Sequence, residues 1–476
     1  MVLQANGELR RTPNVILIMM DSVRRDALSC YGCRQQTSPN IDAFAVQSVV
    51  FDDAISTSSW TLPAVASIFT GKYASRHGAD DGYNYLNAHH ETIAEILARN
   101  GYQTAAFCAN SNVSIFTGLN RGFEFFNDLH YPNVDTVNKV FKAYAKGMRK
   151  VLKRRVKYHE TLVLYREAKR WLREKRDPRR PFFMYVHENE AHYPYNPPRQ
   201  FRREFLRLSA ARVRAINQDR ELFVAGKVKM TSQDLTNLRL LYHAEIRYLD
   251  YRLRQFVDFL KAEGLWDNLL LIITADHGDN FGEHGLIGHG LSLYDSLLKV
   301  PLVIYYPGKL SPRRVSGQVQ LCDILPTVID LVDLPHELAK QEWQGRSLVG
   351  LARGINLGGE HVAFAEHAMQ NLTIFEAKIP NLGDDFYKKY KRATRAVRMD
   401  GFKYIWSSNG ERELYDLDSD PEEKHNIIGQ YPDKARTLQN TLSNWLDSFV
   451  PDTYRDSLPE ADEVVTQRLR DLGYLE

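Results

Sequence analysis

Cysteine is scarce in this chain, with four in 476 residues: Cys30, Cys33, Cys108 and Cys322. That is too few for a disulfide framework, and the single Cys30-x-x-Cys33 pair has no second pair to complete a zinc ribbon. Free thiols in a reducing compartment are expected. Long apolar runs are lacking as well. Val15 to Met20 is far too short to span a bilayer, and the segment before it carries no apolar leader. Both absences lead to the expectation of a cytoplasmic protein. Charge of one sign is also missing, since 62 Lys and Arg against 59 Asp and Glu leave +3. Such a balance gives no reason to expect a nucleic-acid partner. There is no internal repeat and no low-complexity run. With 43% hydrophobic and 25% charged residues, the composition is that of a folded globular chain.

What is present alternates between strand and helix patterns. Val15–Met20, Tyr102–Cys108, Phe182–His187, Leu269–Thr274 and Val300–Tyr305 are apolar runs of the kind buried on both faces of a parallel sheet. Helical spacing marks Glu91–Asn100, ended by Gly101, and the long segment Asp234–Ala262, ended by Gly264. After about residue 370 the texture changes to short alternating strands joined by Asp400-Gly401 and Asn409-Gly410 turns, with a helix from Lys434 to Phe449. The fold expected is α/β: a mixed, mostly parallel sheet sandwiched by helices over residues 10–370. A small antiparallel α+β domain should follow over 371–476.

The chemistry gathers at strand ends. Asp21 ends the first apolar run, where α/β sheets open their ligand crevice, although an Asp there also serves to cap the next helix. Asp276 and His277 follow Thr274 in the same way. Between these lies Ser58–Gly78, in which Pro63 marks the first turn of a helix and Thr61 stands at its start. A hydroxyl at a helix N-terminus is placed either to cap that helix or to attack an anionic centre. Two carboxylates, one imidazole and that hydroxyl suit a single divalent cation: Mn, Mg or Ca, with Zn as a further option. His192, His284 and His289 lie close after strand ends and could protonate a leaving oxygen or bind a tetrahedral anion.

A basic segment interrupts the pattern. Lys139 to Arg176 carries fifteen Lys and Arg against three Glu, interleaved with Val151, Leu152, Leu164 and Trp171. Arg199 to Arg220 adds further arginines. A basic helical insertion over about 139–230 is expected, either a solvated surface or a flap for an anionic substrate. Residues 139–176 are also a candidate for peripheral contact with an anionic membrane surface.

Taken in order, these motifs resemble the sulfatases of the alkaline phosphatase superfamily. The resemblance rests on Asn14-Val-Ile-Leu-Ile-Met-Met-Asp21, Ser38-Pro-Asn-Ile-Asp42, Thr61-Leu-Pro-Ala-Val-Ala-Ser-Ile-Phe-Thr-Gly71, His192-Tyr-Pro194, Thr274-Ala-Asp-His-Gly278 and Gly282-Glu-His-Gly285. Val300-Pro-Leu302, Asp323-Ile-Leu-Pro-Thr327 and Glu413-Leu-Tyr-Asp-Leu417 extend it toward the C-terminus. It implies a metal set of Asp21, Thr61, Asp276 and His277, with Thr61, His192 and His289 catalytic. It also implies substrate contacts from His192, His284, His289, Lys72 and Asn110. The chain departs from the family pattern where sulfatases carry Cys or Ser, converted to formylglycine. Thr61 stands there, so no formylglycine is expected. Val65 replaces the motif's Arg, Ser22 a metal-binding Asp, and His289 a substrate Lys. These departures resemble the phosphoryl-transfer branches. The leading expectation is therefore a hydrolase or transferase acting on a phosphate ester, specifically a diester, of a small-molecule, lipid or glycan substrate. A sulfuric ester hydrolase acting on an anionic sugar or aryl sulfate is the alternative, and a non-catalytic anion-binding scaffold a third reading.

Overall fold

A computed structural model describes residues 12–129, 160–335, 343–355 and 361–450, together with the short strands Val2–Leu3 and Leu9–Arg10. Its centre is an eight-stranded sheet. The strands in chain order are β1 (Asn14–Met20), β2 (Val49–Ile55), β3 (Gln103–Cys108), β4 (Phe125–Asp128), β5 (Phe182–Glu188), β6 (Leu269–Thr274), β7 (Lys299–Tyr305) and β8 (Arg313–Gln320). Across the sheet they run β8-β2-β7-β6-β1-β5-β3-β4. Only β7 is antiparallel to its neighbours; every other pair is parallel. The α/β fold with a mixed, mostly parallel sheet is thus present.

Strands β1, β5 and β6 are apolar along nearly their whole length because helices cover both faces of the sheet. Helix α1 (Thr61–Thr70) is buried at all ten positions and packs on the turn Leu321–Asp323. Helix α2 (Ser232–Ala262) buries Leu238, Leu241, Leu249, Leu253 and Phe256 at helical spacing. A capping box of Thr231 and Asp234 starts it.

The small sheet consists of β9 (Ala363–His367), β10 (Thr394–Met399), β11 (Phe402–Ser407) and β12 (Arg412–Asp416), each antiparallel to the next. Asp400 and Gly401 both take positive φ, 53° and 74°, as the tight β10–β11 turn requires. Helix α3 (Pro432–Asp447) lays Ala435, Leu438 and Leu442 on Val397, Tyr404 and Leu414.

Two expected boundaries move. The C-terminal sheet begins at Ala363, not after 370, because Ala363–His367 pairs residue for residue with Thr394–Arg398. The basic range 139–230 is not one insertion, because it contains β5, paired to both β1 and β3 in the middle of the sheet. Residues 139–159 of that range lie outside the described residues. The helix Glu160–Glu174 that follows buries Leu164, Tyr165, Ala168, Trp171 and Leu172, so it is a layer of the fold. Among the described residues no helix is long and apolar enough to cross a membrane.

Candidate active site

The four adjacent strands β6, β1, β5 and β3 all run parallel and end on one line. Thr274 pairs with Met19, Met19 with His187, and His187 with Cys108. Two residues beyond that line on three of these strands lie Asp276, Asp21 and Asn110. The pleat turns residues two apart to the same face, so His187 on the line itself shares a face with these three. This register gathers a cluster from positions hundreds of residues apart.

Thr61 enters from above. It is the first residue of α1, after Trp60 with extended backbone, and no side chain caps that helix. The capping alternative is thereby removed. Thr61 Oγ1 instead lies 3.3 Å from His277 Nε2 and accepts a hydrogen bond of 3.3 Å from Asn110 Nδ2. The approach to Thr61 is fixed from both domains. Ser56 Oγ donates to the Asp276 carbonyl at 2.5 Å, Ser58 Oγ to the Glu366 carbonyl at 2.8 Å, and the Glu366 amide to Thr57 O at 3.0 Å. The C-terminal sheet therefore buttresses the segment that delivers the hydroxyl.

Asp21 is the hub. Its Oδ2 accepts from Asn110 Nδ2 at 2.5 Å and lies 3.0 Å from His187 Nε2; its Oδ1 accepts from Ser22 Oγ at 2.9 Å. Tyr185 OH at 2.8 Å from His187 Nδ1 fixes that ring in turn. His277 Nδ1 lies 2.9 Å from Gly278 O, which it can only bond as a donor, and that makes Nε2 the nitrogen facing Thr61. Gly278 has to be glycine, because a Cβ there would stand 2.2 Å from Ser296 O.

The charges of this buried cluster do not balance. Burial would raise the pKa of Asp21, but the His187 hydrogen bond and the charges of His192, His187 and His277 hold it far below the usual range. Asp276 is pushed up, first by burial and then by the charge of Asp21. Burial lowers His277, but Asp276 and Asp21 outweigh it and raise the ring above its ordinary value. Asp276 Oδ2 is buried with no hydrogen-bond partner among the described residues. It stands 3.5 Å from His277 Nε2, and Asp21 Oδ1 stands 3.8 Å from the same nitrogen. Donor atoms about 2.0–2.2 Å from one cation stand roughly 3–4 Å apart. An orphaned carboxylate oxygen inside such a donor set fits a divalent cation.

A second group adjoins the first. His289 and His277 rings are 4.2 Å apart, and His192 and His289 rings 4.8 Å. His192 Nδ1 lies 2.6 Å from Tyr193 O. Burial lowers the pKa of His192, and burial together with the charges of His277, His192 and Arg220 lowers His289 further.

Of the residues expected at the site, Asp21, Thr61, Asn110, Asp276 and His277 meet, with His192 and His289 beside them. Two do not join. His284 stacks on Tyr294 at 3.5 Å, toward the C-terminal sheet, where its ring takes part in that packing. Lys72 follows the far end of α1, a helix length of ~15 Å from Thr61, and its Nζ lies 3.3 Å from His90 Nδ1. Conversely, His187 and Asp279 were not expected. His187 reads in sequence as the last residue of a buried strand, and only the β1–β5 register places it on Asp21.

The sulfatase family profile matches residues 13–334. The chain belongs to the sulfatase family. The arylsulfatase of Clostridium perfringens is 26% identical, covering 90% of this chain and 93% of its own length. The N-acetylglucosamine-6-O-sulfatase of Bacteroides thetaiotaomicron is 24% identical, over 96% and 89%. The crystal structure of the phosphonate monoester hydrolase of Agrobacterium radiobacter superposes with a TM-score of 0.73 at 23% identity, over 92% of this chain and 96% of that one. The sulfatase fold of the alkaline phosphatase superfamily thus spans both domains, and the family is one of metal-dependent ester hydrolases. Its named relatives and fold neighbours include sulfatases and a phosphonate monoester hydrolase.

Proposed function

We propose that this sulfatase-family chain hydrolyses a sulfuric ester of an anionic sugar or aryl alcohol, with Thr61 as the nucleophile. One observation carries the reading: the Thr61 hydroxyl is spent on no helix cap, and is held between His277 Nε2 and the Asn110 amide beside two buried carboxylates. Asp21, Thr61, Asp276 and His277 would hold a divalent cation, with Mg, Mn or Zn suiting two carboxylates and an imidazole better than Ca once Ser22 stands in place of an acid. Bound there, the cation lowers the pKa of a hydroxyl and polarises the ester oxygens.

Thr61 Oγ1 gives up its proton to solvent and attacks the central atom of the ester in line, and the bond to the leaving oxygen breaks with its electron pair, that oxygen taking a proton from solvent. Asn110 offers its amide N–H groups to the charge that develops at Oγ1 and on the ester. His192, partly buried, and His289, buried, lie at the rim of the cluster and bind the outer oxygens. Water then releases the product from the threonine ester.

A second reading is favoured by Thr61 itself. A threonine cannot give formylglycine by the oxidation that serves Cys or Ser, and direct attack by an alkoxide suits a phosphorus ester, as in a phosphonate or phosphate ester. Matched 4-nitrophenyl sulfate, phenylphosphonate and phosphate diester substrates decide between the two. The proposal expects kcat/KM to be highest for the sulfate. A preference for either phosphorus ester by more than about tenfold, or ~1.4 kcal/mol in transition-state binding, would transfer the assignment to the second reading.

A further inference from the structure

His289 is held by a relay that no step above uses. The short strands Asn280–Phe281 and Ile287–Gly288 pair antiparallel, with Gly288 opposite Asn280. That register brings the flanking residues Asp279 and His289 face to face, with His289 Nδ1 2.6 Å from Asp279 Oδ1. The other carboxylate oxygen, Oδ2, accepts from Tyr195 OH at 2.5 Å. Arg24 Nη1 donates to the Asp279 carbonyl at 3.0 Å and to Glu283 Oε1 at 2.7 Å, so backbone and side chain of Asp279 are both fixed. Asp279 is fully buried, Tyr195 is 3% exposed and His289 8%. A carboxylate clamped at both oxygens cannot swing away from its imidazole.

A histidine whose Nδ1–H is held by a carboxylate presents the lone pair of Nε2 on its other edge. The His289 ring lies in the cluster, with His277 and His192 as its ring neighbours and His277 touching Thr61. Building on the hydrolysis proposed above, we propose that Asp279, clamped by Tyr195, is a positioning residue that holds His289 as the base for the second half of the reaction. The oxygen of water bonds to the sulfur or phosphorus of the threonine ester. The bond to Thr61 Oγ1 breaks with its electron pair left on Oγ1, and the proton of the water passes to His289 Nε2. Oγ1 then regains a proton as His289 gives one up to solvent. His289 acts on the water; Asp279 acts only through His289.

The two half-reactions separate this from a structural role. Slowing only the release step lets the Thr61 ester accumulate, so kcat and KM fall together while kcat/KM holds. For Asp279→Asn in the metal-loaded full-length enzyme, kcat with 4-nitrophenyl sulfate or phenylphosphonate should fall ~10²–10⁴-fold, with kcat/KM within about threefold of the parent. A burst of one nitrophenol per site should appear, and metal per chain should not change. Tyr195→Phe, which leaves the carboxylate in place, should show the same signature at about three- to tenfold. Equal losses in kcat and kcat/KM without a burst would overturn the proposal, and so would loss of the metal, which would make Asp279 a ligand. A parent that turns over none of these esters, and traps none on Thr61, would overturn the hydrolytic reading and the proposal together. A parent that turns over normally while the variants fail to show a burst overturns the proposal alone.

Discussion

Thr61 Oγ1 and His277 Nε2 stand 3.3 Å apart across 216 residues of sequence. One is the first residue of a buried helix, the other follows a strand end by three positions, and the carbonyl of Gly278 fixes which imidazole nitrogen faces the hydroxyl. The relationship makes Thr61 the least replaceable side chain of the site. Thr61→Ala should lower kcat by at least ~10³-fold, the scale of losing a nucleophile. Stability should fall by no more than about 1–3 kcal/mol, since no cap hydrogen bond is lost and only the buried contacts to Asn110 and His277 go unpaired. Steady-state kinetics with a denaturation curve checks both, and a variant with parental turnover would return Thr61 to a structural role.

Asn110 donates to Thr61 and Asp21 at once. Removing the amide by Asn110→Ala deprives the developing charge of a donor, and ~10²-fold should be lost from kcat. KM should move little, because the amide is aimed at the reacting oxygen. A loss seen only in KM would make Asn110 a substrate-binding residue instead.

His187 holds the outer oxygen of Asp21. Partners of this kind orient a metal-binding carboxylate, and their loss weakens metal binding by roughly 10–100-fold. Competition with a fluorescent chelator should show that weakening for Zn or Mn in His187→Leu. Unchanged affinity would leave His187 as packing only.

The same ties also explain what the sequence can disclose. Apolar runs such as Val15–Met20 and Leu269–Thr274 are legible because both faces of a central parallel strand are buried, and Asp21, Asp276 and His277 follow from where those runs stop. Edge strands are not legible. Arg313–Gln320 is half exposed and polar, and Phe125–Asp128 is only four residues long. His187 and Asp279 were hidden for a different reason. Each is defined by a pairing, β1 with β5 and Asn280–Phe281 with Ile287–Gly288, that no local pattern specifies. His284 and Lys72 show the converse, since nearness in sequence to the motifs did not bring them to the cluster.

The contact between domains should be pH dependent. His367 on β9 reaches Asp81 Oδ2 at 2.6 Å and Ser59 Oγ at 3.3 Å, two residues before Thr61. Burial lowers the pKa of His367, but the Asp81 hydrogen bond and the charges of Asp81 and Asp80 raise it above 6.5. A histidine with a raised folded pKa contributes its stability fully below the unfolded value and loses it as pH rises through the folded one. Tm should therefore be level below about pH 6.5 and decline above it. In His367→Gln that decline should be absent and Tm lower at acid pH. A parental slope in the variant would assign the pH dependence to another group.

The central claim is a covalent threonine ester, and intact-mass spectrometry of the acid-quenched enzyme tests it most directly. With a sulfate or phosphonate ester turning over, an adduct with the mass of the transferred group should appear and map to the peptide that carries Thr61. It should vanish in Thr61→Ala and grow in Asp279→Asn. Steady turnover with no adduct at any quench time, or an adduct on another residue, would contradict the account.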